Sequence, residues 1–120
     1  LIEGDSNYWF ESGATRHIVI EGNRFHQCAY VSAWGKAPIQ VSPSALVWEK
    51  DRRYHQYLEV RGNVFQCCDD RLVNAVNLKK LVFLDNKIER TTVFEPIKGQ
   101  ALELDGVLEV ETDINKEQQI

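Results

Sequence analysis

Near the start of this 120-residue chain, Gly4 to Gly13 reads GDSNYWFESG, crowding two acids, Asp5 and Glu11, against the rings of Tyr8, Trp9 and Phe10. Acids beside aromatic rings lose solvent, which raises their pKa toward the range where a carboxyl group can protonate a leaving group. The rings offer flat apolar faces that stack on the C–H faces of a pyranose, whose hydroxyls require carboxylates, amides and charged donors around them. On this reading Asp5 and Glu11 are weak candidates for acid–base chemistry. Tyr8, Trp9, Glu11, Trp48 and His55 are candidates for lining a sugar pocket, with Tyr54 nearby in sequence. The competing reading is structural: Trp9 and Phe10 brace one end of the fold, and Asp5, following Gly4, caps a turn.

Other reactive residue types point less far. Asp69-Asp70 is a paired carboxylate of the kind glycoside hydrolysis uses, but it sits in a very short connection, where a tight turn explains it. His17, His26 and His55 lack metal-ligand spacing, so no metal is expected. Ser12 has no strand–turn–helix context for a nucleophile. Cys28, Cys67 and Cys68 fit neither a metal site nor an even-numbered disulfide framework; the adjacent pair reads as one packed thiol and one exposed thiol. A formal charge of -4 and a pI near 5.4 argue against a nucleic-acid surface, and Arg52-Arg53 reads as a solvated loop. No apolar run approaches a membrane span, so no membrane partner is expected. The chain begins at Leu1 and contains no Met, which suggests a piece of a longer product.

The elements that must position these residues are written as a repeat. HIVIEGNRF (17–25), YLEVRGNVF (57–65) and KLVFLDNKI (80–88) align without gaps, each as alternating apolar residues, two turn residues, Asn, and a further apolar residue. Ile18 with Ile20, Leu58 with Val60, and Leu81 with Phe83 alternate with period two, which places them on one face of a strand. The Asn then marks a sharp corner, because Asn tolerates left-handed backbone. Phe25, Phe65 and Ile88 return inward after it.

The unit is constant while its connections vary, which is the signature of an all-β fold in which coils stack: a parallel β-helix of about three to four coils spanning 1–110, with a polar tail at 111–120. Its ladders would be Asn23/Asn63/Asn86, Phe25/Phe65/Ile88 and Cys28/Cys68/Thr91. Leu1-Ile2, Pro38 to Val41 and Leu72 to Val76 supply a preceding strand for each coil. A fourth, weaker coil from Val93 through Ile97, Leu102–Leu104 and Val107–Val110 lacks the Asn corner and suits a terminal cap. A β-sandwich is the rival, disfavoured by the absence of hairpin signals. The loops Asp5–Arg16 and Ser42–Gln56 would leave equivalent edges and form one shelf carrying Trp9, Glu11, Trp48, Tyr54 and His55.

The run LIEGDSNYWFESGATRHIVIEGNRFHQCAY, continued by APIQVSP and YLEVRGNVF, resembles the later coils of the family 110 glycoside hydrolases, bacterial α-1,3-galactosidases on a right-handed parallel β-helix. GD-NYWFESGA is the specific part of the likeness, which covers Leu1 to Ile88. The resemblance implies a secreted or periplasmic inverting hydrolase that acts without a cofactor on the terminal galactose of glycans. It also implies that the paired-Asp catalytic segment lies in coils upstream of Leu1, so Asp69-Asp70 is not its counterpart. Asp5, Trp9 and Glu11 carry over only as residues lining or supporting the sugar pocket. The chain is therefore expected to be inactive alone; the alternative is a non-catalytic carbohydrate-binding or structural β-helix module. A pectate-lyase-type reading on the same fold lacks the Ca²⁺-binding acid cluster it would need. Exposed strands at a coil end point to a homodimer, most simply two-fold.

Overall fold

The computed structural model describes residues 2, 13–28, 37–43, 48–96 and 98–114. Among them there is no helix. Eight strands follow in order: β1 (Ile18–Glu21), β2 (Arg24–His26), β3 (Ile39–Val41), β4 (His55–Arg61), β5 (Val64–Cys67), β6 (Val73–Leu84), β7 (Lys87–Arg90) and β8 (Leu102–Thr112). All strand pairings are parallel. One sheet runs β1-β4-β6-β3 with β8 on the other edge of β6, and a second runs β2-β5-β7. Parallel pairing of sequential units removes the sandwich, which is built from antiparallel strands.

The register follows the sequence repeat. Ile18 lies beside Leu58, Leu58 beside Leu81, and Leu81 beside Val110. Leu58, Val60, Leu81 and Phe83 all point inward and are essentially inaccessible. After the corner, Phe25 pairs with Phe65 and Phe65 with Ile88. The Phe25 and Phe65 rings stack at 4.8 Å with 8° between their planes, and Phe65 tilts against Phe83 at 5.7 Å.

The corners hold a finer division of labour than the sequence suggests. The left-handed backbone belongs to the residue before each Asn: Gly22 (φ 69), Gly62 (φ 64) and Asp85 (φ 56). The Asn side chain instead satisfies backbone groups. Asn63 Oδ1 accepts the Asn23 N–H at 2.9 Å, Asn86 Oδ1 accepts the Asn63 N–H at 2.9 Å, and each lower amide donates to a carbonyl one unit above, Asn63 to Ile20 and Asn86 to Val60. Bonds of this kind settle polar groups that a buried corner would otherwise leave unpaired.

The third and fourth units depart from the short-strand pattern. Asn77-Leu78-Lys79 is too short to leave the sheet, so the third unit's two strands fuse into the twelve-residue β6. Asn77 takes φ 59 there, and Gly106, between residues paired with Val76 and Leu78, takes φ 67 in β8. β8 pairs along nearly all of β6 and runs past residue 110; Asp113 Oδ2 then accepts the Asp85 N–H, so a carboxylate reaches the corner where no Asn was expected.

The third proposed ladder is corrected. Thr91 does meet Cys68, at 3.1 Å, but the first-unit partner is Gln27, which adopts φ 52 and sends its side chain to both of them. Gln27 Nε2 donates to Thr91 Oγ1, Thr91 to Cys68 Sγ, and Cys68 to Gln27 Oε1, closing a ring. Cys28 Sγ turns to the His26 carbonyl. Cys67 and Cys68 are both buried, so neither is the exposed thiol of the pair; Cys28 is the more accessible cysteine.

Candidate functional site

Asp5, Tyr8, Trp9 and Glu11 lie outside the described residues, so the site is built from Trp48, Tyr54, His55 and their surroundings. His55 opens β4 opposite Leu78 and is 1% exposed. Its Nδ1 accepts the Thr15 N–H at 3.2 Å and lies 2.8 Å from Thr15 Oγ1, while Tyr54 meets the ring edge-on at 4.8 Å. A backbone N–H can only donate, so Nδ1 is the acceptor and the ring proton sits on Nε2. Nε2 is buried and has no partner among the described residues. Gln56 N–H reaches the Thr15 carbonyl at 3.1 Å beside it. Together these bonds fasten Gly13–Arg16 to the start of β4, and the ring as placed offers no surface to a ligand.

Burial pushes the His55 pKa below its ordinary value of 6.5 and keeps the ring neutral. The unfolded chain therefore binds a proton near pH 6.5 that the folded chain does not. That contribution to stability is present in full above this pH and is lost as the pH falls through it toward the depressed folded value. Urea midpoints measured from pH 8 to pH 5 should fall more steeply for the wild type than for His55→Leu. Equal slopes would show that His55 is not held neutral.

Trp48 faces another way. Its indole packs against Gly106 of β8, where a Cβ would overlap the ring. Arg53 sits 5.4 Å from the indole centroid, a cation over an aromatic face. The same guanidinium donates to the Gly106 carbonyl and to the carbonyls of Glu49, Lys50 and Arg52. Arg53 is thus the fastener of its loop, whereas Arg52 is the solvated member of the pair, with 83% of its side chain exposed. Tyr54 N–H is taken by Asn77 Oδ1 at 2.8 Å. Trp48 is therefore joined to the fourth unit, Tyr54 to the third and His55 to the segment leading into the first. Spacing in sequence gave no signal for this divergence, because it depends on which neighbouring unit each loop residue meets.

Asp69-Asp70 occupies the turn between β5 and β6. Asp70 pairs with Arg90 and accepts the Gly99 N–H, and Arg90 also reaches the Asp69 carbonyl. Burial alone would raise the Asp70 pKa, but Arg90 and the Gly99 N–H outweigh it and hold the carboxyl below its usual range. A group held ionised in this way is unsuited to act as a general acid. It clamps the 98–103 segment to the turn, helped by Arg71, which bonds the Lys98 carbonyl and lies 3.6 Å from Glu103.

A gap-free parallel repeat with a fixed corner is a pattern specific enough to compare with known proteins. No family model matches the sequence. Single proteins do. The chain is 35% identical over 99 residues, 82% of its length, to alpha-1,3-galactosidase A of Bacteroides fragilis. The chain is homologous to a segment of the family 110 α-1,3-galactosidases. Alpha-1,3-galactosidase B of Bacteroides thetaiotaomicron is 31% identical over 98 residues, and that of Akkermansia muciniphila 31% identical over 90. The chain spans only 16%, 16% and 11% of these three galactosidases, so the matched part is a small share of each.

Proposed function

We propose that this chain is about three to four coils of the right-handed parallel β-helix of a bacterial, secreted or periplasmic α-1,3-galactosidase, and that its role is to build and support the sugar pocket. The observation that carries this reading is identity to α-1,3-galactosidases over most of the chain, combined with a parallel register in which equivalent residues of successive units stand beside one another. An inverting glycosidase needs one carboxylic acid on the leaving oxygen and a second carboxylate on water, about 6.5–9.5 Å apart. Asp70 is committed to Arg90 and the Gly99 N–H, which suits it to neither role. For Asp5 and Glu11, the acids singled out beside the aromatic rings, we propose contact with the substrate rather than proton transfer, alongside Tyr8 and Trp9. Trp48 and His55 brace the loops from which such a pocket would rise. No cofactor enters this chemistry.

The substrate class is a glycan ending in α-linked galactose. Purified chain should release no galactose from an α-1,3-galactosyl oligosaccharide, while its Trp fluorescence should shift on titration with the same sugar. Released galactose would contradict the assignment of the catalytic acids to another part of the enzyme. Unchanged fluorescence would favour the second reading, a purely structural stretch of the helix.

One further element of this reading is a homodimer of two copies of the chain; among the described residues β1 pairs only with β4 and β8 only with β6, and edge strands of this kind can pair with another chain.

A further inference from the structure

His55 is held where only its neutral form fits. It is 1% exposed at the start of β4, opposite Leu78 of β6, with Tyr54 edge-on to its ring. Its Nδ1 accepts the Thr15 N–H at 3.2 Å, and the Thr15 hydroxyl lies 2.8 Å from the same atom. The Gln56 N–H reaches the Thr15 carbonyl at 3.1 Å. Thr15 is thus gripped at its N–H, its hydroxyl and its carbonyl by consecutive residues of β4.

The gripped segment is the root of a loop. Gly13–Arg16 joins the run that carries Asp5, Tyr8, Trp9 and Glu11 to β1. Gly13, Ala14 and Arg16 are exposed and Thr15 is half-buried, so Thr15 is the point at which that root is tied down.

A proton changes this grip. An imidazolium carries hydrogen on both nitrogens and has no acceptor left. The Thr15 hydroxyl can turn and take the new Nδ1–H, but the Thr15 N–H then points at a donor and loses its partner. The charge gains nothing in exchange. Nε2 is buried and has no partner among the described residues, so none of their carboxylates receives the cation there. Ionisable groups on the elements around the ring give no help either. Tyr54 meets it through a ring edge, Arg16 beside Thr15 and Lys79 beside Leu78 are exposed cations, and Arg53 is turned to Trp48 and the loop carbonyls. Burial is what lowers the ring's pKa. A buried cation without a partner must reach water. β4 is paired to β6 along its length, which makes the 13–16 segment the wall that gives way.

We propose that His55 is an acid-sensitive latch on this loop: the neutral ring holds Gly13–Arg16 against β4, and protonation releases the segment and weakens contact with a galactose-terminated glycan. The effect on sugar contact rests on the pocket reading given above; the release of the segment does not. The closed ring binds a proton less readily than the open one, so the latch is fully closed above the ordinary value of 6.5 and opens as the pH falls through it.

Amide exchange followed by NMR at pH 8 and pH 5, corrected for the intrinsic rate at each pH, tests the latch. The Thr15 amide should lose about tenfold or more of its protection at pH 5, the effect of one pH unit's difference in proton affinity between closed and open rings. Core amides of β4 such as Leu58 should lose less. His55→Asn keeps an acceptor, Oδ1, and cannot titrate, so its Thr15 protection should be the same at both pH values. Equal protection in the wild type, a loss that only tracks the β4 core, or an equal loss in His55→Asn would each overturn the latch. The ring nitrogen shifts of the wild type give a second measurement, independent of the variant: they should report a neutral ring protonated on Nε2 at pH 8, and a proton on Nδ1 there would also overturn it. Trp fluorescence titrated with an α-1,3-galactosyl oligosaccharide reads the sugar arm. Wild-type affinity should be weaker at pH 5 than at pH 8, and that of His55→Asn should be the same at both. Unchanged wild-type affinity would overturn the regulation while the pocket reading stands. No response to the sugar at either pH would overturn the pocket reading, and with it the effect on sugar contact, while exchange at Thr15 still decides the latch.

Discussion

Phe65→Ala should cost about 3–5 kcal/mol of folding stability, because it deletes a large ring from the centre of the stack. Phe65 is fully buried, lies face to face with Phe25 at 4.8 Å, and meets Phe83 at 5.7 Å. Removing it leaves a cavity whose lining comes from three successive units, and none of them can collapse without shifting its strand register. A domain of this size has a total stability of about 5–15 kcal/mol, so the variant should be close to unfolded at ordinary temperature. Phe65→Leu retains much of the volume and should lose clearly less, about 1–2 kcal/mol. Urea denaturation of the three proteins gives the comparison. A loss below about 1 kcal/mol for Phe65→Ala would mean that the ring is not enclosed between units.

The second large effect is expected at Asn63, which is 1% exposed. Its Oδ1 accepts the Asn23 N–H, and its Nδ2 donates to the Ile20 and Arg61 carbonyls and to Asn86 Oδ1. Asn63→Leu matches the shape but strands at least the Asn23 N–H and the Ile20 carbonyl, and each buried group left unpaired costs about 1–3 kcal/mol. A loss of about 2–4 kcal/mol is expected. Asn23 makes the contrast. It is exposed at the head of the ladder, with its Nδ2 reaching only the Glu21 carbonyl and Asn63 Oδ1. Asn23→Leu should cost about 1 kcal/mol or less. Equal losses at the two positions would show that the amides act one by one and not as a ladder through the corners.

What the sequence makes legible is whatever repeats. The alternation at Ile18/Ile20, Leu58/Val60 and Leu81/Phe83 points to the inner face, and the aligned Asn residues point to the corner ladder, because both are fixed by the period of a strand and by a bond that must recur in each unit. What it hides is set by neighbours far along the chain. No sequence pattern marks Gly106, yet its missing side chain makes room for Trp48. Arg53 resembles its neighbour Arg52 until the turn carbonyls gather around it. Gln27 displaces Cys28 from a ladder position that spacing alone assigns to the cysteine, through a positive φ that no local turn motif announces. The candidate site is divided in the same way. Trp48 and His55 are both recognisable as chemistry-bearing residues, but the units they contact are a property of packing.

The most direct test is the NMR cross-peak pattern among the strands that carry the ladder. Parallel stacking sets Leu58 between Ile18 and Leu81, so amide-to-Hα contacts should link these residues and, beyond the corner, Phe65 with Phe25 and Ile88. Strong Hα-to-Hα contacts between β4 and β1 or β6, which only antiparallel neighbours produce, would contradict the stack and remove the physical basis for reading this chain as part of a galactosidase β-helix.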